Sequence, residues 1–277
     1  LLYPTAAAWV SQYNQSNVTR LQTTRNSELA LSARESAIEE ADAYNRVLQS
    51  GALLESGANL ATGTGSLAVG TAAIEGDAGT QPLNYWDILK TNPTGAMARL
   101  RIDSIDLDLP IYHGTSDETL LQGVGHLQGT SLPVGGVGTR AVLTGHRGLS
   151  SATMFTNLNQ VKEGDLFTIE VMGEVLAYRV FAIEVVDPDD TEEIRPDPNR
   201  DLVTLVTCTP LGINSQRILV TGERVTPTPK AALDEAGGPP LIPRFPWWVA
   251  VYLGVTVLNW LAFWRAGFVR PVRKVRS

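Results

Sequence analysis

The sequence predicts a mostly β protein: a closed, mostly antiparallel barrel of about eight strands with short helices, an N-terminal helical arm before it and a transmembrane helix after it. Three observations carry this reading. From Met97 onward the chain breaks into short β-rich runs separated by Gly, Pro and Asp, the pattern of an all-β barrel or sandwich. From Thr5 to Glu55 it is polar, Ala-rich and free of proline, with no glycine before Gly51. Trp247 to Trp264 is a run of eighteen residues without a charge.

Residues 1–56 are the expected arm. Val10, Leu21, Leu29, Ile38 and Leu48 recur loosely at helical spacing, which reads as one or two long helices. Residues 57–82 follow as a lid-like flexible loop; Gly57 to Gly79 is rich in Gly, Ala, Thr and Ser and has no period. Loops of that length are usually lids or disordered. The barrel domain occupies 83–225. Its candidate strands are Met97–Ile102, Leu107–Ile111, Arg140–Thr144, Leu166–Val171, Val175–Val186, Leu202–Cys208 and Arg217–Val225. Residues 226–246 form a Pro/Gly linker, and 247–264 the membrane helix. At 1.5 Å per residue that helix spans roughly 27 Å, close to a hydrocarbon core. Trp247, Trp248 and Trp264 mark its ends, where indoles favour the membrane interface. Residues 265–277 carry Arg265, Arg270, Arg273, Lys274 and Arg276 with no acid, so the tail is expected to be cytoplasmic and everything before it extracytoplasmic. The chain opens on Leu1 rather than Met, from which a removed signal peptide or first spanning segment is expected.

The net charge is −7 over 277 residues, and with five bases gathered in the tail the body is strongly acidic. That argues against a nucleic-acid partner, because phosphate binding needs a basic face. One cysteine excludes an internal disulfide and a Cys-rich metal site. A single thiol is either a small buried hydrophobe or a reactive group.

Cys208 ends the run Leu202 to Cys208, just before Thr209-Pro210-Leu211-Gly212, which places it at a sheet rim, where scaffolds present reactive groups. His146 lies in Thr144-Gly145-His146-Arg147-Gly148, past a second strand end. Arg217 opens the next strand, and a turn through Gly212 and Asn214 would return it beside the cysteine. A thiol of pKa about 8.5 is mostly protonated at neutral pH. An imidazole can take its proton and later give it to a leaving amine. Attack on an amide carbonyl builds negative charge on oxygen, which a guanidinium stabilises. Arg217 could equally hold the substrate; the sequence leaves both roles open.

These residues resemble the sortases, bacterial cell-surface cysteine transpeptidases. The likeness rests on TLVTC at Thr204 to Cys208, GHRG around His146, Arg217, the run Gly123 to Pro133 and the run Thr207 to Asn214. It covers roughly Ala96 to Val225, and with the C-terminal span it is most like class C, the pilin-polymerising sortases. The resemblance implies that Cys208 attacks the Thr–Gly bond of an LPxTG-like sorting signal and forms a thioester. A pilin lysine amine then resolves it, and no cofactor or metal takes part. By the same analogy Thr207 lines the oxyanion site or contacts the signal. The sequence departs from class C at the lid: an Asp-Pro-aromatic plug is missing, since Asp187-Pro188 and Asp197-Pro198 lie in a later acidic loop.

Other readings stand beside this one. His126 is a structural candidate that hydrogen-bonds the following turn, and His113 is expected to pack. Arg147 is expected in a salt bridge or in solvent, and the acidic run from Asp187 to Glu193 as a solvated loop. A housekeeping sortase that anchors proteins to peptidoglycan is the first alternative. A hydrolytic cysteine protease and a non-catalytic, membrane-tethered binding domain with an inert Cys208 are the others.

Overall fold

A computed structural model describes residues 3–49, 83–90, 94–241, 243 and 245–267. The expected lid-like stretch 57–82 and the tail beyond 267 lie outside the described residues. The helices are α1 (Tyr3–Glu28), α2 (Leu31–Gln49), α3 (Asp117–Gln122), α4 (Lys230–Glu235) and α5 (Trp247–Gly267). The strands are β1 (Ala96–Ile102), β2 (Leu107–His113), β3 (Val124–His126), β4 (Arg140–Thr144), β5 (Leu166–Val171), β6 (Glu174–Val186), β7 (Leu202–Thr209) and β8 (Gln216–Arg224). The chain divides into two compact units, Leu1–Ile242 and Pro243–Ser277.

The strands close in the order β1-β2-β3-β4-β7-β8-β6-β5, which is the expected barrel of eight. Six of its pairings are antiparallel. The pairs β2·β3 and β4·β7 are parallel, so the barrel is mixed. β3 is the strand missing from the sequence reading, because three residues are too few to display a period of two. The hairpin β5–β6 turns on Met172 and Gly173, both at positive φ, the geometry that matches strand twist in a two-residue loop.

Side chains of alternate residues fill the barrel. Phe167 and Tyr178 face each other across β5 and β6 and stack at 5.4 Å, packed with Leu100, Ile102, Ile111, Leu143, Phe155 and Leu205. A second, smaller apolar cluster lies on the other face of β4, β7 and β8: Leu127, Val142, Val206 and Leu219, covered by Val186 and Ile194. The strands around Cys208 are therefore buried on both faces until they reach the rim.

The helical arm is part of the same unit. In α1 the buried residues are Gln15, Ser16, Thr19, Gln22 and Asn26, while Val10 and Leu21 are exposed. The helix is present, but it turns its polar face to the barrel. Gln22 reaches the carbonyl of Ala96 at 3.4 Å. In α2, Asn45 grips the backbone of one residue in the loop before β4: its Oδ1 accepts from Leu132 N at 2.7 Å and its Nδ2 donates to Leu132 O at 3.1 Å.

The stretch read as a linker is bound to the barrel as far as Leu241. Its anchor is a buried ion cluster on β1, β2 and β5, where Arg99 meets both oxygens of Asp108 at 2.7 Å and Glu170 at 3.4 Å. Gly237 N donates to Glu170, Leu241 N to Asp108, and Arg99 to the carbonyl of Gly238. Ser16 of α1 closes the strap from outside by donating to Leu241 O at 2.8 Å. In the second unit α5 is the one helix among the described residues long and apolar enough to cross a membrane, with a mean hydropathy of 1.4 and no buried residue.

Candidate active site

β7 is a run of β-branched and aliphatic residues, Leu202-Val-Thr-Leu-Val-Thr-Cys-Thr, a composition that favours an extended, packed strand. It is buried from Leu202 to Thr207 and opens to partial exposure at Cys208 and Thr209. The period of two assigns the faces. Val203 and Leu205 belong to the barrel interior and Val206 to the outer cluster, so Cys208 points to the outer side with Val206, and Thr207 points inward.

That alternation turns the Thr207 side chain inward. It is 1% exposed, and its hydroxyl donates to the carbonyl of Gly145 at 2.8 Å. That hydroxyl ties the cysteine strand to the turn that carries His146. A residue next in sequence to Cys208 cannot share its face of the sheet.

Arg217 stands directly opposite Cys208 in the β7·β8 ladder. Opposed residues of an antiparallel pair share a face, with Cβ atoms about 5 Å apart. The turn that returns the chain is anchored by Ile213 N and Asn214 N, both donating to Pro210 O, with Gly212 and Asn214 at positive φ. Arg217 is 6% exposed; its Nη1 donates to the carbonyls of Asn214 and Gln216, each at 3.0 Å. The guanidinium is thus held against its own turn at the level of the thiol.

His146 arrives from the other neighbour of β7. The parallel β4·β7 register runs to Thr144 opposite Val206, and Gly145 N extends it by donating to Val206 O at 3.1 Å. His146 is the next residue, so the turn that carries it leaves β4 beside the end of β7 that carries Cys208. The turn requires its glycines. A Cβ on Gly145 would lie 2.7 Å from the ring of Phe155, and one on Gly148, at φ +75°, would lie 2.7 Å from Leu211. Leu211 follows the cysteine strand, so the two loops that flank the site touch. His146 is half-buried; burial pushes its pKa below the ordinary imidazole value, and the carboxylate of Asp117 on α3 works the other way. The neutral ring, which accepts a proton, is the favoured form.

Two residues near this rim differ from, or add to, the sequence reading. Arg147 forms no salt bridge among the described residues and is only partly open to solvent. It is half-buried and donates from Nε to Thr156 O at 3.3 Å and from Nη1 to Thr209 Oγ1 at 3.0 Å, with Cys208 O at 3.5 Å. Asp117 had no sequence signal; only the fold brings α3 within electrostatic reach of His146.

The other histidines pack. His126 is fully buried. Its Nε2 faces the carbonyl of Ser131 at 2.8 Å, which assigns the proton to that nitrogen, and its Nδ1 accepts from Tyr85 at 2.9 Å. Burial lowers its pKa to about 4. His113 is also buried, against Ile88 O at 2.9 Å, and burial lowers its pKa to about 4 as well. The acidic loop after β6 lies over the outer cluster through Ile194, and Arg140 fastens it by donating to Glu193 O at 2.6 Å. Among the described residues no group of three or more His, Cys, Asp or Glu is placed to hold a metal ion.

The model of the sortase domain family matches residues 100–225, a span that begins in β1 and ends one residue past β8. The crystal structure of sortase C-1 from Actinomyces oris is 59% identical over 51% of this chain and 78% of its own, with a TM-score of 0.50. Sortase C1 of the group B Streptococcus pilus island 1 is 36% identical over 76% of this chain and 97% of its own, with a TM-score of 0.64. Among curated proteins, sortase D of Bacillus subtilis is 31% identical over 130 residues, 46% of this chain. The match spans 63% of that relative's length. A closed barrel of this strand order, matched along nearly the full length of a solved relative at this identity, leaves one assignment: the chain belongs to the sortase family.

Proposed function

We propose that the chain is a cysteine transpeptidase of the class C type, which cleaves an LPxTG-like sorting signal between Thr and Gly and joins it to a lysine amine of a pilin subunit. The observation that carries this reading is the register of one strand: β7 has Arg217 opposite Cys208 on one side, and on the other β4 runs to Thr144 opposite Val206, two residues short of His146 and Cys208. The neutral His146 takes the thiol proton as sulfur attacks the threonine carbonyl carbon. Arg217 stabilises the oxyanion that forms. Collapse breaks the C–N bond, His146 passes the proton to the departing glycine amine, and a thioester on Cys208 remains. The incoming lysine amine attacks the thioester and surrenders a proton to His146, the C–S bond breaks, and His146 returns that proton to the departing sulfur. A thioester keeps the acyl group activated long enough for an amine to compete with water.

The pilus setting is supported by the structural relative named for a pilus island, and the membrane setting by α5, with the barrel extracytoplasmic and the basic tail inside. The test mixes the protein with an LPxTG peptide and a pilin subunit, as wild type and as Cys208→Ala. The expected result is a peptide–pilin adduct with the wild type and none with the variant. Cleavage unaffected by added amine would make the protein a hydrolase. Adducts on peptidoglycan stem amines but not on pilin would make it a wall-anchoring enzyme. A thiol inert to alkylation, with no cleavage, would leave a binding domain.

A further inference from the structure

Next in sequence to His146 lies a contact the catalytic reading does not use. We infer that Arg147 is the positioning residue of this site: its guanidinium pins the His146 turn to the Cys208 strand, and so fixes the distance over which the proton moves. The inference rests on the assignment of His146 and Cys208 as reacting partners.

His146 leaves β4 at a rim where the β4·β7 ladder has ended. Among the described residues, no backbone bond beyond Gly145 N holds the turn to β7. Two side chains take over. Thr207 ties the turn before the histidine, through Gly145 O. Arg147 ties it after, and in two directions at once. Nε reaches Thr156 O, in the same loop region where Phe155 N donates to His146 O at 2.9 Å and Gly148 N to Thr156 Oγ1 at 3.1 Å. Nη1 reaches Thr209 Oγ1, with Cys208 O beside it. Thr209 and Thr207 flank the cysteine, so the histidine is bracketed by one hydroxyl tie on each side of the nucleophile. The planar fork of arginine can serve both directions, whereas a lysine ammonium serves as a point. The guanidinium lies on backbone carbonyls and a hydroxyl rather than on a carboxylate, so its contribution is geometric.

A displacement of about 1 Å between reacting groups can cost ~100-fold in rate. The experiment uses the full chain in detergent, with an LPxTG peptide as substrate and a methanethiosulfonate as thiol probe. Arg147→Ala is expected to lower kcat by ~10- to 100-fold with KM within about twofold, and Arg147→Lys to recover only part of the loss. The pH profile of Cys208 labelling in Arg147→Ala should collapse onto that of His146→Ala, a change that a purely structural role would leave alone. Thr209→Val removes the acceptor hydroxyl alone and should lose kcat in the same sense. Combined with Arg147→Ala it should be no worse than Arg147→Ala by itself, as expected of partners in one contact. Wild-type kcat and labelling profile in Arg147→Ala would overturn the inference. If that variant fails to fold, the same wild-type behaviour in Thr209→Val overturns it. A wild-type protein that neither cleaves the peptide nor shows a histidine-dependent labelling profile would instead refute the catalytic assignment beneath it.

Discussion

At the scale of single residues, the acid–base behaviour of the site is set by how deeply His146 is placed. Burial lowers its pKa from the ordinary value of 6.5, and the Asp117 carboxylate offsets part of that. The base form is lost as pH falls through the lowered pKa, so the acid limb of kcat/KM for peptide cleavage is expected below pH ~6.5. Asp117→Asn removes the opposing charge, lowers the pKa further and should move the limb to more acid pH. A limb at or above pH 6.5, or a shift in the alkaline direction in the variant, contradicts this picture. The strand-end positions of Cys208, His146 and Arg217 were legible in the sequence because each lies beside turn residues. Thr207 and Arg147 were legible as motif members only. What they do depends on which way alternate side chains face and on which loop lies across the rim.

At the scale of elements, seven strands were legible because β-branched runs bounded by Gly, Pro and Asp announce themselves, and their observed ends lie within two residues of the expected ones. β3 was too short to be seen. The helical arm was legible as helix, but its orientation was not, because α1 buries hydrogen-bonding side chains rather than an apolar stripe. The strap from α4 to Leu241 was invisible for a different reason. Its attachment points are the charges Arg99, Asp108 and Glu170, whose side chains are 2%, 2% and 13% exposed, and charged residues normally read as surface. A buried cation stripped of its bidentate partner is costly. Asp108→Ala is expected to destabilise the fold by about 3–5 kcal/mol and to lower the melting temperature by roughly 10 °C, at about 2–4 °C per kcal/mol. Thermal unfolding followed by circular dichroism measures this; a drop under about 3 °C would mean that the cluster contributes little.

At the scale of the whole molecule, the strap makes residues 226–241 part of the folded unit. A chain that ends after Leu241 keeps Gly237, Gly238 and Leu241 on the ion cluster and Ser16 on Leu241, and should melt like the intact protein. One that ends at Val225 gives up three hydrogen bonds to charged partners, each worth about 1.5–3 kcal/mol, and should melt several degrees lower. Equal melting temperatures for the two truncations would show the strap to be passive. By itself the sequence determined the β class, the membrane-spanning composition of α5 and the strand-end positions of Cys208, His146 and Arg217, since each is a local matter of period, composition or turn chemistry. Only the tertiary structure decided which strands are neighbours. It joined β4 to β7 and β7 to β8, and so brought positions 146, 208 and 217 to one rim. It also turned Thr207 inward and bound the arm and strap to the barrel. Strand pairing between segments some sixty residues apart, such as β4 and β7, rewards burial summed over the whole barrel, and no short window of sequence contains that sum.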